Sequence, residues 1–428
     1  MPCKRSSYSR ESIGLGNSVL LEKKNEKKTI NMSGYLTEER KMMQEMARSF
    51  AREEVLPVAN RLDPDKGEIP QDLIDKMGDL GFFGILIPED KGGMGLGYFE
   101  YCLVAEELAA AWMSVASIIA RGNSFYRSIP GDDDTREERT RLMAKGKYLG
   151  AFAMSEPNAG SDVANVSCRA VEDGDDWVIT GNKYWCTFAD RADFISVIAR
   201  TEQDENAPRH AGLTAIGIEK EKGCFPDGCA GSPIPKIGYF GWNTFELAFD
   251  NCRVPNYKKM RGKESRGNAF KSVAAGLEGA RAHTAARSIG LAQGAFDVAM
   301  NYSKEREQFG EPIANFQAIR FKLATMATEI EASRQLMYHV CNEIDSGRRC
   351  DKEAAMVKYY AAEMAERVTS EALQILGGAG YTTHYPVERY WRDARLTKIF
   401  EGSSEIQQRI ISDNLLGKPK KTKSSSYS

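Results

Sequence analysis

Five short segments of the 428-residue chain group polar, aromatic and glycine residues in ways that could serve chemistry. Ala153-Met154-Ser155-Glu156-Pro157-Asn158-Ala159-Gly160-Ser161-Asp162 follows an apolar run, and its Pro, Asn and Gly build a turn whose backbone N–H groups are free to meet a ligand. In Lys183-Tyr184-Trp185-Cys186-Thr187, period-two alternation puts Trp185 and Thr187 on one strand face. An aromatic plane beside a hydroxyl suits a flat heterocycle. Arg306-Glu307-Gln308-Phe309-Gly310 closes a helix, where an arginine ordinarily complements the helix dipole. Gln374-Ile375-Leu376-Gly377-Gly378-Ala379-Gly380-Tyr381 ends a helix in three glycines, and a C-cap explains only one of them. Ile399-Phe400-Glu401-Gly402-Ser403-Ser404-Glu405 sets a carboxylate between an aromatic residue and a glycine, just before a helix that Ser403 or Ser404 could cap. Taken singly, each segment also reads as an ordinary turn, packed aromatic, helix end or solvated charge.

Other chemistries lack their residues. The four histidines, His210, His283, His339 and His384, show no H-x-x-H or H-E-x-x-H spacing, and the nine cysteines contain no C-x-x-C, so no metal site is expected and the thiols read as reduced core filler. Neither G-x-G-x-x-G nor G-x-x-x-x-G-K occurs, which speaks against nicotinamide and P-loop sites. A net charge of −2 offers no basic surplus for holding nucleic acid. No run of about 18 apolar residues is present, so membrane insertion is not expected, and neither is secretion.

Apolar spacing outlines the elements that must position these segments. Thr37 reads as an N-cap, with Met42, Met43, Met46 and Phe50 marking a helix that stops before Pro57. Pro70 opens a second helix with Leu73, Met77 and Leu80 inward, and a third apolar stretch begins at Tyr98. Short apolar runs at 151–154, 177–180, 194–199, 213–218 and 245–249, separated by turn residues, predict strands. Helical spacing returns after Asn256 and implies an antiparallel bundle. The expected fold is therefore α+β and mostly α: an N-terminal helical domain at 32–147, a middle β-barrel or sandwich domain at 148–258 and a C-terminal four-helix bundle at 259–417. Residues 1–31, with seven Lys and Arg, three Glu and no apolar periodicity, are expected to be a disordered extension, a transit peptide or a mis-called start; 418–428 form a basic tail.

In this order the motifs resemble those of the acyl-CoA dehydrogenase family over about residues 36 to 417: A-M-S-E-P-N-A-G-S-D, E-R-E-Q-F-G-E-P-I-A-N-F-Q, Q-I-L-G-G-A-G-Y and F-E-G-S-S-E-I-Q. The family's order of helical, β and four-helix domains agrees with the pattern above. The resemblance implies FAD as cofactor, lined by Phe152, Met154, Ser155, Ser161, Trp185 and Thr187, with Arg306, Gln308, Phe309, Gln317, Gln374, Gly377 and Gly378 reaching the FAD of a neighbouring subunit, and Ser403 and Glu405 completing the site. It implies Ser161, Glu278, Arg281 and Gly402 as acyl-CoA contacts, and Glu401 as the base that abstracts the α-proton while the β-hydride passes to the flavin. A minority of the family carries its base on the helix holding Leu277 to Arg281, but Ala280 stands at that position. Desolvation is expected to raise Glu401 toward neutrality when a thioester fills an apolar pocket.

The resemblance further implies a homotetramer, electron-transferring flavoprotein as partner, and a cytoplasmic location, or the mitochondrial matrix in a eukaryote. Cys186-Thr187-Phe188-Ala189-Asp190 and Gly238-Tyr239-Phe240-Gly241-Trp242 depart from the usual family pattern and are most similar to benzylsuccinyl-CoA dehydrogenases of anaerobic toluene degradation. Such a substrate carries a second carboxylate, for which Arg121 is the candidate partner. A general short- or branched-chain acyl-CoA dehydrogenase is the alternative enzyme, and a flavin-bearing nucleic-acid-binding relative the alternative of another class.

Overall fold

The structure, a computed structural model, describes residues 34–201, 212–254 and 269–419. The expected extension at 1–31 lies outside the described residues, as does nearly all of the basic tail. Thr37 caps α1 (Glu38–Phe50), its hydroxyl accepting from the Arg40 N–H at 3.3 Å. The helix does not stop before Pro57. A π-helical turn (Ala51–Val55) carries the chain into α2 (Leu56–Leu62), and Pro57 sits in that helix's first turn, where its missing N–H is tolerated. Helix α3 (Gln71–Asp79) follows Pro70 and buries Leu73 and Met77.

Helix α4 (Tyr98–Ala111) is buried on nearly every side, followed by α5 (Met113–Ile118), α6 (Ala120–Asn123) and α7 (Asp133–Ala144). The middle of the chain forms a seven-stranded mixed sheet: β1 (Gly150–Ala153), β2 (Arg169–Asp173), β3 (Asp176–Thr187), β4 (Phe194–Arg200), β5 (Leu213–Glu219), β6 (Cys229–Pro233) and β7 (Thr244–Val254). Strand order runs β1-β4-β2-β3-β7-β6, with β5 also on β4; β1 and β2 run parallel to β4 and the other pairs are antiparallel. The β3–β7 register slips between Lys183 and Cys186, a bulge that turns the Trp185 backbone to φ 65° and aims its indole outward.

The C-terminal helices are α8 (Ala269–Glu305), α9 (Gln317–Asp345), α10 (Asp351–Leu376), α11 (Val387–Thr397) and α12 (Ser404–Leu416). Helix α8 is the axis of the packing, because small residues let α4 lie close against it. A Cβ on Gly290 would stand 2.2 Å from the Glu106 carbonyl, and one on Gly294 2.5 Å from that of Ala110. Ala282, Ala285, Ala286, Ile289 and Ala292 are fully buried, so α8 reads as a core helix with apolar residues all round. Two of the buried polar side chains it carries there, Thr284 and Arg287, therefore need buried partners. Among the described residues no helix is long and apolar enough to cross a membrane.

Candidate active site

The partner of both is Glu401, on the short loop between α11 and α12. Ser403 caps α12 by accepting from the Ile406 N–H, and Lys358 of α10 donates to the Gly402 carbonyl at 2.6 Å. Between these anchors Glu401 and Gly402 adopt φ 53° and 90°, a tight left-handed bend that turns the Glu401 side chain back toward α8. Oε2 accepts from the Thr284 hydroxyl at 2.5 Å and Oε1 from Arg287 Nη2 at 2.7 Å. The carboxylate remains open on one side, its side chain 35% exposed.

Arg287 is held independently of Glu401. Its Nη1 donates to Ser117 Oγ of α5 at 2.9 Å, its Nε to the His283 carbonyl at 3.4 Å, and its guanidinium lies 4.8 Å from the Phe400 ring centre. His283 stacks on Tyr101 with ring centres 4.5 Å apart, and burial together with the Arg287 charge holds it neutral, well below the usual histidine range. A second guanidinium, Arg121 of α6, stands against Trp242, Phe125 and Phe188 at 5.3, 5.5 and 6.0 Å, and its buried Nε has no hydrogen-bond partner among the described residues. Burial lowers Arg121 from its ordinary value and Arg287 lowers it further, whereas Tyr239, Cys186 and Glu401 raise it. Tyr239, at φ 58°, packs on Trp242 and Phe400, and its N–H donates to Asp393 at 2.6 Å.

This wall differs from the apolar pocket expected around Glu401. Burial alone would raise its carboxyl, but the Arg287 charge, the bonds from Thr284 and Arg287, and the Lys358 ammonium outweigh burial and leave it below the ordinary value. The arrangement is one partly open carboxylate bound to the buried Arg287 guanidinium, with a second, half-buried guanidinium at Arg121 close enough to feel its charge, and with Tyr239, Trp242, Phe188 and Phe400 packed around these groups. It can accept a proton at Glu401 and hold an anion at Arg121.

The other expected site residues fall in three places. Phe152, Met154 and Ser155 are half-buried at the end of β1, where a buried ion pair fixes the turn: Glu156 accepts from Lys183 Nζ at 2.8 Å, from the Ser167 and Cys168 N–H groups and from the Ser167 hydroxyl, while Lys183 also donates to the Met154 carbonyl. Thr187 shares a hydrogen bond with Thr244 at 3.1 Å, Trp185 is 55% exposed and Ser161 is exposed. Arg306, Gln308, Phe309, Gln317, Gln374, Gly377, Gly378 and Glu405 lie on the surface, Phe309 at 95% exposure. Among the described residues Arg306 makes no side-chain hydrogen bond or ion pair, and a Cβ at Gly378 would meet nothing within 4 Å. Glu278 and Arg281 face the start of α10: Glu278 accepts from the Cys350 N–H at 3.3 Å, and Arg281 stands 3.6 Å from Asp351. Sequence reasoning missed Thr284, Arg287, Ser117 and Lys358. The available signal was a Thr and an Arg three residues apart on one turn of an otherwise alanine-rich buried helix.

Comparison with known proteins agrees with the three-part fold. The N-terminal, middle and C-terminal domain descriptions of acyl-CoA dehydrogenase match residues 37–147, 151–252 and 267–416. A (2S)-methylsuccinyl-CoA dehydrogenase of Cereibacter sphaeroides is 39% identical over 91% of this chain and 71% of its own length. The caffeyl-CoA reductase-Etf complex subunit CarC of Acetobacterium woodii is 37% identical over 90% of this chain and the whole of its own. The butyryl-CoA dehydrogenase structure from Megasphaera elsdenii superposes with a TM-score of 0.82 at 34% identity, covering 90% of this chain and all of that one. The chain belongs to the acyl-CoA dehydrogenase family.

Proposed function

We propose that this chain oxidises a succinyl-CoA thioester bearing a further substituent, with benzylsuccinyl-CoA as the specific candidate, and that Glu401 is its base. The observation that carries the reading is the pair of guanidinium groups beside one carboxylate. A fatty-acyl chain gives a buried cation no counter-charge, and an ion taken out of water is costly unless paired. Arg287 has Glu401, whereas among the described residues the half-buried Arg121 has ring faces and an unsatisfied Nε. A substrate with a second carboxylate supplies what Arg121 lacks, and the Trp242 and Phe188 rings offer packing for a phenyl substituent. The relative named for (2S)-methylsuccinyl-CoA, itself a carboxylated thioester, supports this class.

The family's cofactor is FAD, and this chain's residues fit it. The exposed indole of Trp185 beside Thr187, Arg306 with no partner among the described residues, the solvent-facing Phe309 and the open Gly378 have little role among the described residues of a single chain. Phe152, Met154, Ser155, Ser161, Trp185 and Thr187 would hold the ring system. Arg306, Gln308, Phe309, Gln317, Gln374, Gly377 and Gly378 would hold a neighbouring subunit's cofactor in a homotetramer, and Ser403 and Glu405 would complete the site. When bound, FAD supplies the acceptor for the β-hydride. Glu401 takes the α-proton at a carboxylate oxygen, Arg121 orients the acyl group by its distal carboxylate, and the aromatic wall excludes water. Electron-transferring flavoprotein is the proposed electron acceptor, supported by the relative named as part of an Etf complex.

Anaerobic titration of the yellow holoenzyme with benzylsuccinyl-CoA, methylsuccinyl-CoA, butyryl-CoA and isobutyryl-CoA tests the substrate class. The carboxylated thioesters should bleach the flavin at lower concentration. Equal or faster bleaching by butyryl-CoA or isobutyryl-CoA would make the chain a general short- or branched-chain enzyme.

A further inference from the structure

Both oxygens of Glu401 are engaged by donors, Thr284 at Oε2 and Arg287 at Oε1. A carboxylate paired with a buried guanidinium is a weakened base, because accepting a proton there means giving up that ion pair. Arg287, however, does not depend on Glu401 for its position. Ser117 and the His283 carbonyl fix the other nitrogens of its planar fork, and only Nη2, which also meets Thr284 at 3.0 Å, reaches the base. Arg121 interacts electrostatically with both Glu401 and Arg287, so among the described residues the site holds more cationic than anionic groups before any substrate enters it.

Resting on the carboxylated-substrate reading above, we infer that Arg287 is a substrate-operated latch on the base: it binds Glu401 in the chain alone and transfers its Nη2 contact to the distal carboxylate of an entering thioester, leaving Glu401 able to accept the α-proton. Arg121 receives the second oxygen of that carboxylate, so one anion satisfies both guanidinium groups. The proton balance is simple, since the α-hydrogen leaves carbon as a proton and ends on a Glu401 oxygen. An uncharged acyl chain gives Arg287 nothing to turn to, and the base stays paired. Selectivity for a carboxylated substrate would thus act on proton abstraction as well as on binding.

The groups facing Glu401 from every packed element are Arg287 and Thr284 of α8, Arg121 of α6, Lys358 of α10, Tyr101 of α4 and Tyr239 of the β6–β7 connection. The two tyrosines are pushed above their ordinary range by burial, and so stay neutral across the working pH range. Lys358, lowered by burial to about 8, is the one neighbour among the described residues that titrates near that range, so measurements belong below pH 7.

The test is stopped-flow flavin reduction between about pH 5 and pH 7 in wild-type holoenzyme and Arg287→Met, with benzylsuccinyl-CoA and with butyryl-CoA. In wild type the base should titrate at higher pH with the carboxylated thioester bound than with butyryl-CoA bound. Arg287→Met should raise the butyryl-CoA reduction rate about tenfold while raising KM for the carboxylated thioester. Equal losses with both thioesters and unchanged pH profiles would overturn the latch and leave the substrate reading standing. Failure of wild type to discriminate the thioesters would overturn that reading itself. Should Arg287→Met not fold, calorimetry on wild type decides: at pH 6, in two buffers of different ionisation enthalpy, binding of a non-reducible carboxylated thioester should take up protons and binding of a non-reducible uncharged thioester should not. Equal uptake for both would refute the latch.

Discussion

Lys183→Met isolates the ion pair that fixes the turn after β1. Lys183 and Glu156 are 0% and 4% exposed, so solvent screens their interaction little. Removing the ammonium leaves the Glu156 carboxylate buried with three donors, the N–H groups of Ser167 and Cys168 and the Ser167 hydroxyl, and takes the partner from the Met154 carbonyl. Breaking a buried pair by deleting one partner costs about 3–5 kcal/mol, and the three remaining donors place this case near the lower bound, about 3 kcal/mol. Glu156 lies below its ordinary value: burial raises it, but bonds from Lys183, Ser167 and Cys168 prevail. The stability it contributes is therefore present above the unfolded carboxyl value and lost as pH falls through the lower folded one. The assay is equilibrium urea unfolding at pH 7 and again at pH 4, with FAD retention followed by gel filtration. The variant should lose about 3 kcal/mol at pH 7, less at pH 4, and release FAD more readily because Met154 and Ser155 are no longer pinned. A loss under about 0.5 kcal/mol at pH 7, the level of an ordinary surface change, would refute the reasoning.

Arg121→Met should raise KM for a carboxylated thioester by about 10- to 100-fold, the worth of one charge-assisted hydrogen bond, and leave KM for butyryl-CoA nearly unchanged; steady-state kinetics with both thioesters checks it. Arg306→Ala should release FAD in equilibrium dialysis and shift the proposed tetramer toward smaller species in sedimentation, since among the described residues its exposed guanidinium has no partner. Asp393, buried beside Asp63 and raised to about 7, holds its proton in the folded state at pH values where the unfolded chain has lost it. Its contribution to stability is present below about pH 4 and is lost as pH rises through about 7. Asp393→Asn keeps an acceptor for the Tyr239 N–H and should remove that decline from thermal melts taken across this range.

The sequence was readable where a single element carries its own signal. Thr37, Pro70 and the Ser403 cap mark helix starts that chemistry at one residue dictates, and the apolar runs at 194–199 and 213–218 are strands, the first buried on both faces and the second mainly on one. Strands β2 and β6 left no such trace, because β2 buries only Ala170 and β6 reads Cys-Ala-Gly-Ser-Pro. Pro57 was misleading as a stop because a π-helical turn absorbs it. In the site, Glu401 stood out through the motif around it, whereas Arg287 and Thr284 gain meaning only from a partner more than a hundred residues away. Their polarity on a buried alanine-rich helix was visible, but what would satisfy it depended on the bend at Glu401 and Gly402.

The most direct test of the account is Glu401→Gln, which keeps the shape of the side chain and an acceptor for Thr284 while removing the group that takes the proton. The variant should purify with FAD and bind the carboxylated thioester, and stopped-flow flavin reduction should fall by about 10⁴-fold, the upper range for loss of a general base. Reduction within about tenfold of wild type, with FAD bound, would show that another group accepts the proton and would contradict the assignment of Glu401.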